Sequence, residues 1–189
     1  MIPVTGGVEF SEVDRLADRI RGTSNFRVAR QLFQCDAAYR ATPRTARQIL
    51  DTICMVPEFQ QFLADDVSPP PLEGASAPQL HEHSVIAAAN GSFEETLARG
   101  AADRLGAYSR SLASATASEV EAVRAVFASH GDYAPFELRS GEAPGCSTCR
   151  EHNGHLFSEF FYSVAWDWCF CVIWEGRKLA LVWCMTDTD

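Results

Sequence analysis

The C-terminal quarter, Gly145 to Asp189, constrains the fold more than any other stretch. It holds five of the seven cysteines and all four tryptophans. The run Trp166 to Trp174 (WDWCFCVIW) is followed by Glu175-Gly176-Arg177-Lys178 and then by a second apolar run, Leu179 to Met185. Aromatic and β-branched runs on either side of a short Gly-containing turn predict a β-hairpin. Upstream, Asn153-Gly154 precedes the run Leu156 to Val164. Asn-Gly is a strong hairpin signal, because a type I′ turn needs positive φ at both central residues. The expectation is an antiparallel sheet of three or four strands, with helices from the rest of the chain packed on one face. Within Trp168 to Ile173 the core face would carry either Trp168, Phe170 and Val172 or Cys169, Cys171 and Ile173.

The remainder reads as helical. Ser11 can cap a helix with Val13, Leu16, Ala17 and Ile20 on one face, ended by Gly22. A second helix is expected from Ser24 or Asn25 to Tyr39. Thr42-Pro43 is a cap with Pro at the first helical position, followed by the stripe Ala46, Ile49, Leu50 and Ile53. Pro57 ends that helix and opens a short one, Glu58 to Leu63. Residues 65–80 carry three consecutive prolines and read as an extended linker. A short helix is expected within 81–91. Capping boxes at Ser92/Glu95 and Ser118/Glu121 predict two more helices. The first has Leu97, Ala101, Leu105, Tyr108 and Leu112 on its face. The second has Val120, Val123, Val126 and Phe127, with His130 in its last turn and Gly131 ending it. The predicted class is α+β. A helical bundle over 1–64 and a linker over 65–80 would lead to helices and an antiparallel sheet over 81–189.

Charge narrows the function. The formal net charge is −9. Residues 1–65 carry eight basic and eight acidic side chains, and residues 66–189 carry eight and seventeen. That balance argues against nucleic acid, which requires a basic face. It reads first as charge that keeps the protein soluble, and second as suited to a basic protein or peptide partner. No secretory signal or membrane-length run is seen, so a cytoplasmic location is expected. Seven cysteines in a reducing compartment are then thiols or metal ligands rather than disulfides.

Cys146-x-x-Cys149 with Cys169-x-Cys171 is the sharpest local pattern. Two such pairs can hold one zinc, and cysteines at i, i+2 of a strand share a face. The apolar run around Cys169 and Cys171 favours core packing instead. His152 and His155 flank the Asn-Gly turn as further candidate ligands, and His81 and His83 read as exposed. Cys35 and Cys54 are expected in the core. Phosphate-loop, HExxH, GxSxG and kinase patterns are absent from the sequence. No catalytic residue and no cofactor are assigned to the chain. A binding role is therefore expected, and the last run is the expected surface. It follows the hairpin, ends the chain, and carries no Lys or Pro to protect an edge. The predicted peptide-binding residues are Leu179, Leu181, Val182, Trp183, Met185, Asp187 and Asp189. An added strand would pair with the backbone while the two aspartates attract basic side chains.

The helical N-terminal part, the Cys- and Trp-rich sheet entered through Trp166-Asp167-Trp168, and the ending Thr186-Asp187-Thr188-Asp189 resemble the MbnC family of methanobactin biosynthesis. The resemblance implies a partner subunit of an MbnB-like iron oxygenase of TIM-barrel type. It also implies that the iron belongs to that partner. Together they would convert cysteines of an MbnA-like precursor peptide into oxazolone and thioamide groups, with this chain gripping the leader. Methanobactin leaders are basic, which fits the acidic second half. An acidic toxin-immunity protein and a zinc-stabilised protein-binding module are the alternatives.

Overall fold

The computed structural model describes residues 2–3, 11–21, 26–35, 39–57, 84–103, 117–140, 151–152, 155–156 and 168–187. The hairpin that dominates the sequence forms as expected. Strand β7 (Trp168–Trp174) turns through a 3-10 segment, Glu175–Arg177, into β8 (Leu179–Asp187). Lys178 closes the turn in the left-handed region at φ 55°, and its N–H donates to the Glu175 carbonyl. Register runs from Trp174↔Leu179 to Trp168↔Met185.

The hairpin is not a terminal appendage. It is the centre of a six-stranded antiparallel sheet ordered β1-β2-β8-β7-β4-β3. The other members are β1 (Ile2–Pro3), β2 (Phe26–Gln34), β3 (Ser84–Ala88) and β4 (Ala134–Ser140). Two of these correct the helical expectations over 24–39 and 81–91. In β2, Val28, Arg30 and Leu32 point to one face and Phe33 to the other, which is period-2 spacing. Arg30 sits in the otherwise apolar row because Asp14 of the neighbouring helix pairs with it at 2.8 Å. Strand β2 comes from within the span expected to be a separate helical bundle, and it pairs along its whole length with β8. The first 64 residues are thus not an independent bundle: β1 and β2 are strands of the sheet, and the helices Ser11–Arg21 and Pro43–Ile53 pack on its two faces.

The other helices match their sequence signals. Helix α1 (Ser11–Arg21) buries Val13, Leu16 and Ala17. Helix α2 (Pro43–Ile53) begins at Thr42, whose Oγ1 accepts the Thr45 N–H at 3.2 Å, and buries Ala46, Ile49, Leu50 and Ile53. Helix α3 (Ser92–Asp103) follows Gly91 at φ 79°, and α4 (Ala117–Ala128) ends before Gly131 at φ 102°. Positive φ at these glycines lets the chain turn without Cβ strain. A separate two-stranded pair, β5 (Glu151–His152) with β6 (His155–Leu156), flanks Asn153-Gly154. The linker over 65–80, the short helix over 58–63 and the stripe residues Leu105, Tyr108 and Leu112 lie outside the described residues.

Both faces of the sheet are covered, not one. Helix α2 packs on the face carrying Phe33, Cys169, Cys171, Ile173, Ala180, Val182 and Cys184. Helices α1, α3 and α4 pack on the face carrying Val28, Leu32, Phe170, Val172, Trp174, Leu179, Leu181 and Trp183. This explains why β7 and β8 read as unbroken apolar runs: a strand buried on both faces has no polar alternation. The question of which β7 face is core has the answer that both are. Each fully buried aromatic or aliphatic side chain there contributes about 1.5–3 kcal/mol. On the three-helix face the aromatics interlock. Phe93 meets Phe127 and Phe170 edge-on, each at 5.0 Å, and Phe127 stacks on Trp174 at 5.7 Å.

Candidate functional site: the outer edge of the sheet

The predicted docking strand is in the wrong place for docking. Leu179–Met185 is bonded on both sides, to β2 and to β7. Leu179, Leu181, Val182 and Trp183 are buried. Met185 and Asp187 occupy the end of β8, opposite Val28 and Phe26 of β2. Asp189 lies outside the described residues. The expectation fails because β2 was read as a helix. Once β2 is a strand, the last run has a partner on each side and no backbone left to offer.

Among the described residues, β3, Ser84-Val-Ile-Ala-Ala88, is the edge strand at the end of the sheet away from β1. Its inner side pairs with β4 from Ser84↔Ser140 to Ala88↔Phe136. The Ala89 N–H donates to the Pro135 carbonyl at 3.0 Å, directly opposite. Hydrogen-bonded positions alternate along an antiparallel pair. Val85, Ala87 and Ala89 therefore bond inward, and Ser84, Ile86 and Ala88 aim their backbone groups outward. The Ala88 carbonyl is taken by the Asn90 N–H. Among the described residues, the N–H groups of Ser84, Ile86 and Ala88 and the carbonyls of Ser84 and Ile86 have no strand beyond them to pair with. Nothing in Ser84–Ala88 is charged and none of it is Pro, so the strand itself carries none of the residues that commonly protect an edge.

The surroundings suit an apolar contact. Val85 is 51% exposed, a large hydrophobic side chain open to solvent on the edge strand itself. Ile86 is half-buried against the α2-covered core. Glu137 of β4 lies opposite Ala87 and puts a carboxylate one strand in from the edge. The other end of the sheet is different: β1 is two residues long, ends in Pro3 and reaches only Phe33 and Gln34 of β2, whose remaining outer stretch carries Arg27 and Arg30.

Two polar clusters elsewhere have structural geometry. The Tyr133 hydroxyl donates to the buried Glu94 carboxylate at 3.0 Å, tying the start of α3 to the lead-in of β4. Burial and the Glu94 charge push the Tyr133 hydroxyl well above its ordinary value, so it stays a proton donor. The buried His130 ring stands edge-on to Trp174 at 6.4 Å, with Nε2 3.9 Å from Glu12. The Trp174 indole N–H donates to the Phe127 carbonyl at 3.2 Å.

The cysteines gather on one face. Cys35, Cys54, Cys169, Cys171 and Cys184 are buried thiols in the α2-covered core. Cys169 and Cys171 share a face, as the i, i+2 spacing requires. Burial raises both thiols far above the ordinary range; for Cys169 the hydrogen bond with Cys184 adds to it. Among the described residues no group of three or more Cys, His, Asp or Glu is arranged to hold a metal ion. Cys146, Cys149, His81 and His83 lie outside the described residues.

No family model, no curated protein and no solved structure matches this chain. Among the described residues no helix is long and apolar enough to cross a membrane.

Proposed function

We propose that this chain is a binding subunit that holds a basic, extended peptide along β3 and presents it to a partner enzyme. The observation that carries the reading is the β3 edge, with outward N–H groups at Ser84, Ile86 and Ala88 beside exposed Val85. Strand addition draws affinity from backbone pairing and takes selectivity from alternate side-chain pockets. The net charge of −9 favours a basic visitor and speeds its arrival.

The partner that the sequence resemblance favours is an MbnB-like iron oxygenase. The visitor is then the leader of an MbnA-like precursor peptide, whose cysteines become oxazolone and thioamide groups. Iron belongs to the partner in this reading, and this chain contributes positioning in the cytoplasm. Its docking surface moves from the last strand, as the sequence suggested, to β3. The test is co-expression of the oxygenase and precursor peptide with and without this chain, followed by intact mass of the peptide. The expected result is a modified peptide only when the chain is present. An unchanged precursor mass in both cultures, with no complex on co-purification, refutes the oxygenase assignment.

A further inference from the structure

We propose that Cys169 and Cys184 form an oxidisable pair, a site for a cross-strand disulfide that fastens the open end of the central hairpin. Cys184 donates to Cys169 with the two Sγ atoms 3.3 Å apart. The residues are directly opposite in the β7–β8 register, at the far end of the hairpin from the Glu175–Lys178 turn.

The type of pair follows from the ladder. Pro135 bonds outward to Ala89, so Phe136, its neighbour on β4, bonds toward β7 at Cys171. Alternation along β7 then sends Cys169, Cys171 and Ile173 toward β4, and Phe170, Val172 and Trp174 toward β8. Cys169↔Cys184 is thus a non-hydrogen-bonded pair, with Cα atoms about 4.5 Å apart and side chains close. That separation falls within the range of about 4.4–6.8 Å that a disulfide spans. Closing the bond requires the sulfurs to approach to about 2.05 Å, a rotation of side chains rather than a shift of strands. The other cysteines of the cluster are placed differently. Cys171 faces Val182 across β8 and Phe136 across β4, and its diagonal to Cys184 is about 7–8 Å.

Hydrogen peroxide is the oxidant considered, being small enough to reach a buried pair. One thiolate attacks a peroxide oxygen, the O–O bond breaks, and a sulfenic acid and hydroxide result. The second sulfur attacks the sulfenic sulfur, displacing hydroxide. The two thiol protons convert both hydroxides to water. In sum, two thiols and one peroxide give one disulfide and two waters. Both side chains are buried, and burial disfavours the thiolate, so the reaction is slow and needs local opening.

The test treats the whole protein with hydrogen peroxide, quenches with catalase, blocks remaining thiols with N-ethylmaleimide in denaturant and maps peptides without reduction. Trypsin cuts at Arg177 and Lys178, so the two cysteines fall in different peptides. The expected product links Cys169 to Cys184, is released by dithiothreitol, and forms about tenfold faster per pH unit below the thiol range. The linked protein melts at a higher temperature than the reduced one. Cys171→Ala keeps the link, and Cys184→Ser abolishes it. A link from Cys184 to any other cysteine, or sulfinic and sulfonic acids without a link, overturns the proposal.

Discussion

Five thiols lie on the α2-covered face of the sheet, and their burial has a consequence for stability against pH. Cys169 and Cys171 are raised from an ordinary value near 9, and Tyr133 from one near 10. All three bind a proton more tightly when folded. Below pH 9 both states are protonated and the preference is intact. As pH rises past 9 the unfolded thiols ionise first, the unfolded state is favoured, and stability falls. Urea midpoints measured from pH 7 to 10.5 should decline above about pH 9, and less steeply in Cys171→Ala. A midpoint flat across that range contradicts the burial of these thiols. The sequence carried part of this. The i, i+2 spacing of Cys169 and Cys171 placed them on one face, and their apolar neighbours favoured core packing without deciding which face was core. The cross-strand contact with Cys184 was hidden, since register is a property of the paired strands and not of either one.

At the level of elements, α1, α2, α4 and the β7–β8 hairpin were legible because each carries its own punctuation: Ser11, Thr42-Pro43, Gly131 and the Glu175–Lys178 turn. Strands β2 and β3 were not. Arg27, Arg30, Gln31 and Gln34 are helix-favouring residues, and only pairing with β8 makes β2 a strand, a case of tertiary contacts overriding propensity. In β3 a signal existed: the apolar run Val85-Ile86-Ala87-Ala88-Ala89 is followed at once by Asn90-Gly91, a turn pair. Missing those two strands misplaced the docking edge. The corrected edge makes adjacent alanines behave differently. Ala88→Pro removes an outward N–H and leaves the β4 ladder whole, as proline is tolerated at such edge positions. Ala87→Pro removes the N–H that bonds to β4 and costs about 1–3 kcal/mol. Chemical denaturation should find Ala88→Pro near wild type and Ala87→Pro clearly weaker. Peptide affinity should fall in Ala88→Pro despite its intact stability. Equal destabilisation by both contradicts the assigned alternation.

For the whole molecule, one antiparallel sheet sits between α2 on one face and three helices on the other. The α+β class was readable from the hairpin signals and the amphipathic helices. The expected division at 65–80 was not borne by the sheet, because β2 from the first part and β8 from the last are neighbours. With both faces covered, what the described sheet has left to offer is an edge, and β3 is the edge strand without proline or charge, whereas β1 ends in Pro3 and the stretch of β2 beyond it carries Arg27 and Arg30. The most direct test is residue-level amide hydrogen exchange with and without a basic peptide of extended sequence. In the unliganded protein the amides of Val85, Ala87 and Ala89 should exchange slowly and those of Ser84, Ile86 and Ala88 fast. Saturating peptide should slow Ser84, Ile86 and Ala88 and leave the inward set unchanged. Protection that appears elsewhere on the sheet, or none at β3 under saturating peptide, would contradict the account.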